Sequence, residues 1–528
     1  MTDKDMRWHA PLYERIDEWR RTKPSSFHVP GHKHGEMLEL LDDVDHSVAE
    51  TFRALMTMDV TELSVTDDLH DPTDAIAEAQ RLAAQCYGAD ETFFLVGGST
   101  AGNLAMLLAC CNPGELIIVQ RNAHKSVING LALAGAQAVF LSPQRELQTG
   151  LDGVPSLFDV EEALKRYPQA RAVMLTNPSY YGAYIDLTPY SALIHEHGKL
   201  LLVDEAHGAH YGHHPDFPRS AIQAGADAVV QSTHKTLPAL TMGAMLHLQG
   251  DKINREAIRH SLTMIQSSSP SYPIMISLDI ARAMLDRLGA SMFEQGIRRA
   301  DSFRRWVASN EKLPFEVIDG SKHRIIERMD PLRIVLRDTT GCLSGYELQR
   351  QLEHRGCWVE MADPVYVVLL IGAAVSERDI GRLQEALSEI ARKCIFNEGI
   401  HASKDHDSSY NNARSDAYIN EAIDLLSKHH EMESLAMEDQ LERISEPILF
   451  SRSGVDGDSI EQVSVAVAAG RIAAEAVIPY PPGIPILYMG ERISAKAAAY
   501  IAKLAGYGAR CQGAMDPTMK TIAVIRRS

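Results

Sequence analysis

KLLLVDEA (Lys199–Ala206) and DAVVQSTHKT (Asp227–Thr236) are two short apolar runs, each breaking into polar side chains at its carboxyl end. Nearly unbroken Val, Ile and Leu, rather than strict alternation with polar residues, marks a strand buried on both faces. The pattern recurs upstream in TFFLV (92–96), ELIIVQ (115–120), QAVFL (137–141) and RAVMLT (171–176). Helical stretches separate these runs, over Thr100 to Cys111, His124 to Ala134 and after Asp159. Strands that alternate with helices build a parallel sheet covered on both sides, so the region reads as an α/β domain with a mostly parallel, seven-stranded sheet.

Around this core the chain divides further. Residues 1–60 form an N-terminal segment, helical or irregular, in which FHVPGHKHG (27–35) is held as a loop by Pro and Gly. Residues 61–290 are the major domain. Residues 291–396 form a smaller α+β domain from FEVID, RIVLRD, a helix from Leu343 to Arg355, CWVEM and YVVLLIG. The polar stretch 397–416 predicts a flexible linker. Residues 417–528 then form a C-terminal domain. Helices are expected there over Ala417–Lys428, Leu435–Ile444 and Ser459–Val477, followed by IPYPPGIPILYMGE (478–491) and a last helix and strand.

Composition narrows the function. The 528 residues carry 52 Lys and Arg against 70 Asp and Glu, a formal charge of -18 that repels nucleic acid and anionic membranes and favours a small cationic substrate. Seven cysteines without CxxC spacing argue against a zinc knuckle or a disulfide framework and for a reducing, cytoplasmic setting. The N-terminus lacks the apolar core of a signal peptide, and no run is long enough to span a membrane.

The chemistry concentrates at the strand ends. In an open α/β sheet, side chains just beyond the carboxyl ends of neighbouring strands converge on one crevice. Asp204 and Lys235, 31 residues apart, can therefore meet on one ligand. An amine able to hold an aldehyde as a Schiff base, opposite a carboxylate able to keep a pyridine nitrogen protonated, suits pyridoxal phosphate. VGGSTAGN (96–103) adds an anion site: Gly97 and Gly98 turn the chain, Ser99 and Thr100 supply hydroxyls, and the first helical amides point outward. His124 follows a strand, where its ring can stack on a flat cofactor, and Ser232 and His234 offer donors beside Lys235.

Taken together, FHVPGHKHG, TELSVTDDLHDPTDAIAEAQ, FFLVGGSTAGN, RNAHKSV, TNPSYYG, LLVDEAHGAH, QSTHKTLPALTMGAMLH and PYPPGIP with the following Gly-Glu resemble the Orn/Lys/Arg decarboxylases, pyridoxal-phosphate enzymes of the aspartate-aminotransferase fold (fold type I). The likeness spans almost the whole chain and is nearest the short bacterial members that lack an N-terminal wing domain, whose best-known activity is biosynthetic arginine decarboxylation. It implies that Lys235 is the Schiff-base lysine, that Asp204 faces the pyridine nitrogen, and that His124 stacks on the ring. Ser99, Thr100, Ser232 and His234 then hold the phosphate, and His207 approaches the cofactor's phenolic oxygen or the substrate carboxylate. It further implies α-decarboxylation of arginine, lysine or ornithine, with arginine to agmatine the first choice, and a homodimer or larger homo-oligomer with sites at the interface. Acidic candidates for the substrate's cationic end are Asp68, Asp71, Glu475 and Glu491. Gly97-Gly98 stands where the family usually has Asn-Gly, and Met242 where Gln is common.

Other readings are weaker. DEAH (204–207) also marks certain helicases, but the phosphate loop GxxxxGK[ST] is missing. His210, His213 and His214 lack a carboxylate pattern that would make a metal site. A transaminase or lyase would keep the cofactor and change the reaction. A non-catalytic decarboxylase regulator has no need to retain Lys235, Asp204 and His124.

Overall fold

A computed structural model describes residues 8–41, 46–320, 325–402, 443–451, 459–479, 485–506 and 511–526. The major domain is built on β1 (Glu91–Leu95), β2 (Leu116–Gln120), β3 (Gln137–Leu141), β4 (Ala172–Thr176), β5 (Leu200–Asp204), β6 (Ala228–Gln231) and β7 (Ala244–Leu248). These seven strands lie in the order β1-β7-β6-β5-β4-β2-β3. The run from β6 to β3 is parallel, and β7 is antiparallel to both of its neighbours.

Successive side chains of each strand enter different cores, as the continuous apolar runs require. Ile117, Val119, Met174, Leu202 and Val230 join one buried layer, whereas Leu116, Ile118, Val173, Leu201, Val203 and Val229 join the other. The helix Gly98–Cys110 lies so near the sheet that a Cβ on Gly102 would fall 2.5 Å from Val230 Cγ2. Here glycine sets the distance between layers. At the amino end, Leu12 and Ile16 of the helix Pro11–Arg21 are buried, and the Leu12 amide donates to Asp279 Oδ2 at 2.9 Å on the helix Tyr272–Leu288.

The smaller domain carries the antiparallel sheet β10-β11-β9-β8, from β8 (Phe315–Val317), β9 (Arg333–Asp338), β10 (Met361–Ala362) and β11 (Tyr366–Leu370). The helix Glu377–Ala402 covers it and runs six residues into the expected linker 397–416; the rest of that segment, the helix expected over 417–428, and Tyr480–Ile484 of PYPPGIP lie outside the described residues.

Two further expectations need correction. The first concerns the end of the helix expected over Leu435–Ile444. Its only described part, 443–444, is a bend followed by an isolated bridge, in which Ile444 pairs with Leu141 antiparallel. A few residues later β12 (Ile448–Leu449) pairs with β3 and becomes an eighth strand of the large sheet. The second concerns Ser459–Val477. Instead of a helix it holds β13 (Ile460–Ser464), paired antiparallel with β14 (Thr521–Ile525), followed by a short 3₁₀ turn at Val465–Val467. Ile460 and Val463 of the strand are β-branched, which favours extended backbone, and Gly470 at φ +81° breaks any helix.

Placing a methyl at Gly102 should lower unfolding free energy by about 1–3 kcal/mol through overpacking. Val230→Ala in the Gly102→Ala background should return part of that loss in urea titrations. Equal losses in the single and double variants would show that the two residues do not press on each other.

Candidate active site

β5 and β6 run side by side, with Asp204 paired to Val230 in register, so the residues that follow each strand open onto the same crevice. Ser232 leaves β6 at the position just before a one-turn helix, Thr233–Thr236, that carries Lys235 beyond the strand end. The Lys235 Nζ lies 3.0 Å from His207 Nε2. Burial holds the amine below its usual range; Asp204 opposes this and Arg333 adds to it. His207 is buried as well, and burial, Arg333 and Lys235 drive its ring far toward the neutral form.

Asp204 is 3% exposed and is fixed by the Ala206 amide on Oδ1 at 3.1 Å and by Asn103 Nδ2 on Oδ2 at 2.8 Å. Asn103 also donates to Ser126 Oγ at 2.9 Å, and that hydroxyl lies 2.7 Å from His124 Nδ1. His124 caps the helix Lys125–Ala134, its Nδ1 accepting from the Ser126 amide, which leaves the ring proton on Nε2. Burial lowers the basicity of His124, Lys235 contributing and Asp204 opposing, so the ring is flat and neutral. One hydrogen-bonded chain therefore sets both the carboxylate and the imidazole.

The candidate anion cradle is tied together by backbone. Gly98, at φ +72°, opens the helix that carries Ser99 and Thr100, and its amide donates to the Met242 carbonyl at 2.9 Å. The His234 amide and its Nδ1 both donate to the neighbouring Gly243 carbonyl, at 3.1 and 2.9 Å. The loop at 242–243 thus joins both halves of the cradle. Met242 serves through its carbonyl, so the departure from Gln leaves this tie intact. Ser232 Oγ is buried and has no hydrogen-bond partner among the described residues, which leaves it available to a ligand. With Nδ1 already spent, His234 can donate to an anion only as an imidazolium.

The acidic candidates fare differently. Glu475 accepts from the Met515 and Ala523 amides, at 2.6 and 2.9 Å, and clamps the C-terminal domain. Glu491 pairs with Arg121 and accepts from the Tyr488 amide at 2.9 Å. Asp68 accepts from the His70 amide at 2.8 Å, and Asp71 is exposed beside an open cleft of about 500 Å³ flanked by Arg81, Arg255 and Arg259. The cleft's lining contains no part of the Lys235 group. The histidine cluster disperses: His210 bonds Asp330, His213 packs edge-on against Tyr87, and His214 bonds Glu294.

Several residues around Lys235 were not anticipated. Asn103 is one helical turn beyond Ser99, a spacing that places it on the same face. Tyr180 packs its ring 4.5 Å from that of His207 and donates its hydroxyl to Glu360 Oε1 at 2.8 Å, which brings an exposed carboxylate from the smaller domain to the crevice. Arg333 reaches His207 from β9. Glu205 turns away from Asp204's side and is wholly buried; burial pushes its carboxyl up to about 8 against hydrogen bonds from Gln231 and the Ala221 amide.

The family model described as "Orn/Lys/Arg decarboxylase, major domain" matches residues 10–379, and the corresponding C-terminal domain matches 430–514. The uncharacterised Bacillus subtilis protein YaaO is 38% identical over 518 residues, covering 98% of each chain. An arginine decarboxylase of Bacillus subtilis is 30% identical with the same coverage. Among solved structures, the constitutive lysine decarboxylase of Escherichia coli superposes with a TM-score of 0.76 at 20% identity, over 98% of this chain and 82% of that one, a likeness of fold.

Because burial pushes the Glu205 carboxyl up to about 8 in the folded state while an unfolded glutamate ionises near 4.5, its stabilising contribution is complete below about 4.5 and is lost as pH rises through about 8. Glu205→Gln should flatten that part of the stability profile in thermal melts. Parallel slopes for both proteins would contradict this assignment. Asn103→Leu, which strips partners from Asp204 and Ser126, should cost about 1–3 kcal/mol in chemical denaturation.

Proposed function

From membership of the Orn/Lys/Arg decarboxylase family, to which this chain belongs, we propose that its substrate is L-arginine and its product agmatine. The protein is a pyridoxal-phosphate-dependent amino-acid decarboxylase. Arginine is supported by the arginine decarboxylase relatives, which match at 30% over nearly the full length of both chains, whereas the lysine decarboxylase relatives match at 24–25%. Lysine and ornithine are the alternatives.

The observation that carries the reading is the half-buried amine of Lys235 facing His207 in the crevice that also holds the fixed carboxylate of Asp204. The residues present fit the cofactor: an unpartnered buried hydroxyl on Ser232, and Ser99 and Thr100 at a helix start for a phosphate. The bound cofactor supplies a ring that accepts the electron pair freed when carbon dioxide leaves. Asp204 holds a negative charge for the pyridine nitrogen, and Asn103 and the Ala206 amide keep it aimed. His124 offers a neutral ring face locked by Ser126. Lys235 or His207 supplies the proton to Cα, since both sit at the crevice floor in proton-exchanging contact. Burial of these groups excludes water from the substrate carboxylate, favouring its loss.

Glu360 is the acid we assign to the substrate's guanidinium, in place of the four carboxylates read from sequence. It is exposed, anchored by Tyr180, and its charge is felt at Lys235. A guanidinium and a carboxylate form the strongest ion-paired hydrogen bonds available to side chains. The oligomer is proposed to be a homodimer with sites at its interface. No helix among the described residues is long and apolar enough to cross a membrane.

Carbon dioxide release measured in parallel on arginine, lysine and ornithine should favour arginine, and a clear preference for lysine or ornithine would overturn that choice. Lys235→Ala should reduce release to background and lose the lysine label fixed by borohydride; label retained at another lysine would refute the assignment. Glu360→Gln should raise KM for arginine about three- to tenfold with kcat little changed, corresponding to about 0.7–1.4 kcal/mol of lost binding.

A further inference from the structure

Behind Lys235 a line of polar contacts runs into the protein. Arg333, whose side chain is 1% exposed, places Nη2 2.6 Å from His207 Nδ1 and donates through Nη1 to the Tyr180 carbonyl at 2.7 Å. Its Nε lies 3.7 Å from Asp330 Oδ2, a charge pairing that involves no hydrogen bond between the two atoms. Asp330 is itself fully buried, 3.2 Å from His210 Nε2 through Oδ1, and accepts the Leu332 amide at 2.9 Å. Burial would raise the Asp330 carboxyl, but His210, Arg333 and that amide outweigh it and hold the group below its usual range, as a standing anion behind the guanidinium.

A guanidinium has only donors. Its contact with Nδ1 requires that nitrogen to accept, so it excludes both the Nδ1–H tautomer and the imidazolium. The His207 proton then sits on Nε2, which points at Lys235 Nζ across 3.0 Å. An ammonium carries no lone pair to receive it; a neutral amine does.

We propose that Arg333, anchored by Asp330, is a positioning residue that locks His207 as its Nε2–H tautomer and thereby holds Lys235 as an uncharged, nucleophilic amine before the cofactor binds. The inference rests on the assignment of Lys235 as the cofactor lysine. The charged and titratable groups around the amine are Asp204, His124, His207, Arg333 and Glu360, with His234 acting on His207. Of these, Asp204 and Glu360 favour the ammonium, and Arg333 opposes them both by its charge and through the tautomer.

The test uses the full-length protein freed of cofactor by hydroxylamine, and needs no turnover. Histidine-selective ¹⁵N spectra, with His207 assigned by its loss in His207→Gln, should show the proton on Nε2 from about pH 6 to 9 in the wild type. Trinitrobenzenesulfonate labelling, mapped to Lys235 by mass, should show a pH profile shifted upward by about one unit in Arg333→Met, about tenfold less labelling at fixed pH. Arg333→Lys, which keeps charge and donors, should recover most of that loss, and Asp330→Asn should give an intermediate shift. A wild-type His207 protonated on Nδ1, or coincident labelling profiles for wild type and Arg333→Met, would overturn the proposal. If Arg333→Met does not fold, the wild-type spectrum and Asp330→Asn decide. Failure here with an intact borohydride label on Lys235 would leave the decarboxylase reading standing.

Discussion

An amine and a carboxylate placed at the ends of adjacent parallel strands share one buried crevice, and burial makes each of them useful. In water a lysine is an ammonium and an aspartate exerts little force beyond its first hydration shell. With Asp204 3% exposed and Lys235 shielded by His207, the same groups act in a low effective dielectric, where a fixed charge is strong and a neutral amine is attainable. The sheet provides this with no elaborate loop, because strand register alone decides which side chains meet.

How much of this can be read from the residues depends on the range of the interaction. The alternation of apolar runs with helical stretches discloses the parallel sheet, since burial on both faces writes itself into every strand. Asp204, Lys235 and the Gly97-Gly98 turn lie at strand ends, where the topology predicts convergence. Arg333 carries no comparable signal: it is 126 residues from His207 and belongs to a different sheet. The carboxylates Glu475 and Glu491 resemble ligands in sequence because no local pattern records that their oxygens are taken up by distant amides or by Arg121. The stretch from Ser459 to Val477 misleads for another reason: its many alanines suggest helix, while Ile460–Ser464 within it is drawn into a strand by pairing to the distant Thr521–Ile525.

The C-terminal domain has a core of its own, with Ile486, Leu487, Ile501 and Val524 among its members, yet it is bound closely to the major domain. Tyr488 stacks on Phe140 with ring centroids 4.3 Å apart and donates its hydroxyl to the Arg121 carbonyl at 2.6 Å, while Arg121 pairs with Glu491. Arg121 is three residues before His124. The docking of the last quarter of the chain therefore reaches the base of the helix that His124 caps.

The pairing of β12 with β3 also bears on how the chain matures. β3 is one of the two edge strands of the first seven, and the segment that covers its free hydrogen-bonding edge is synthesised about 300 residues later. During translation that edge stays open while the major domain condenses, a period in which two nascent copies could join through it. Chaperone demand in this protein should accordingly fall on the ribosome-bound intermediate and cease once Ile448 and Leu449 have emerged.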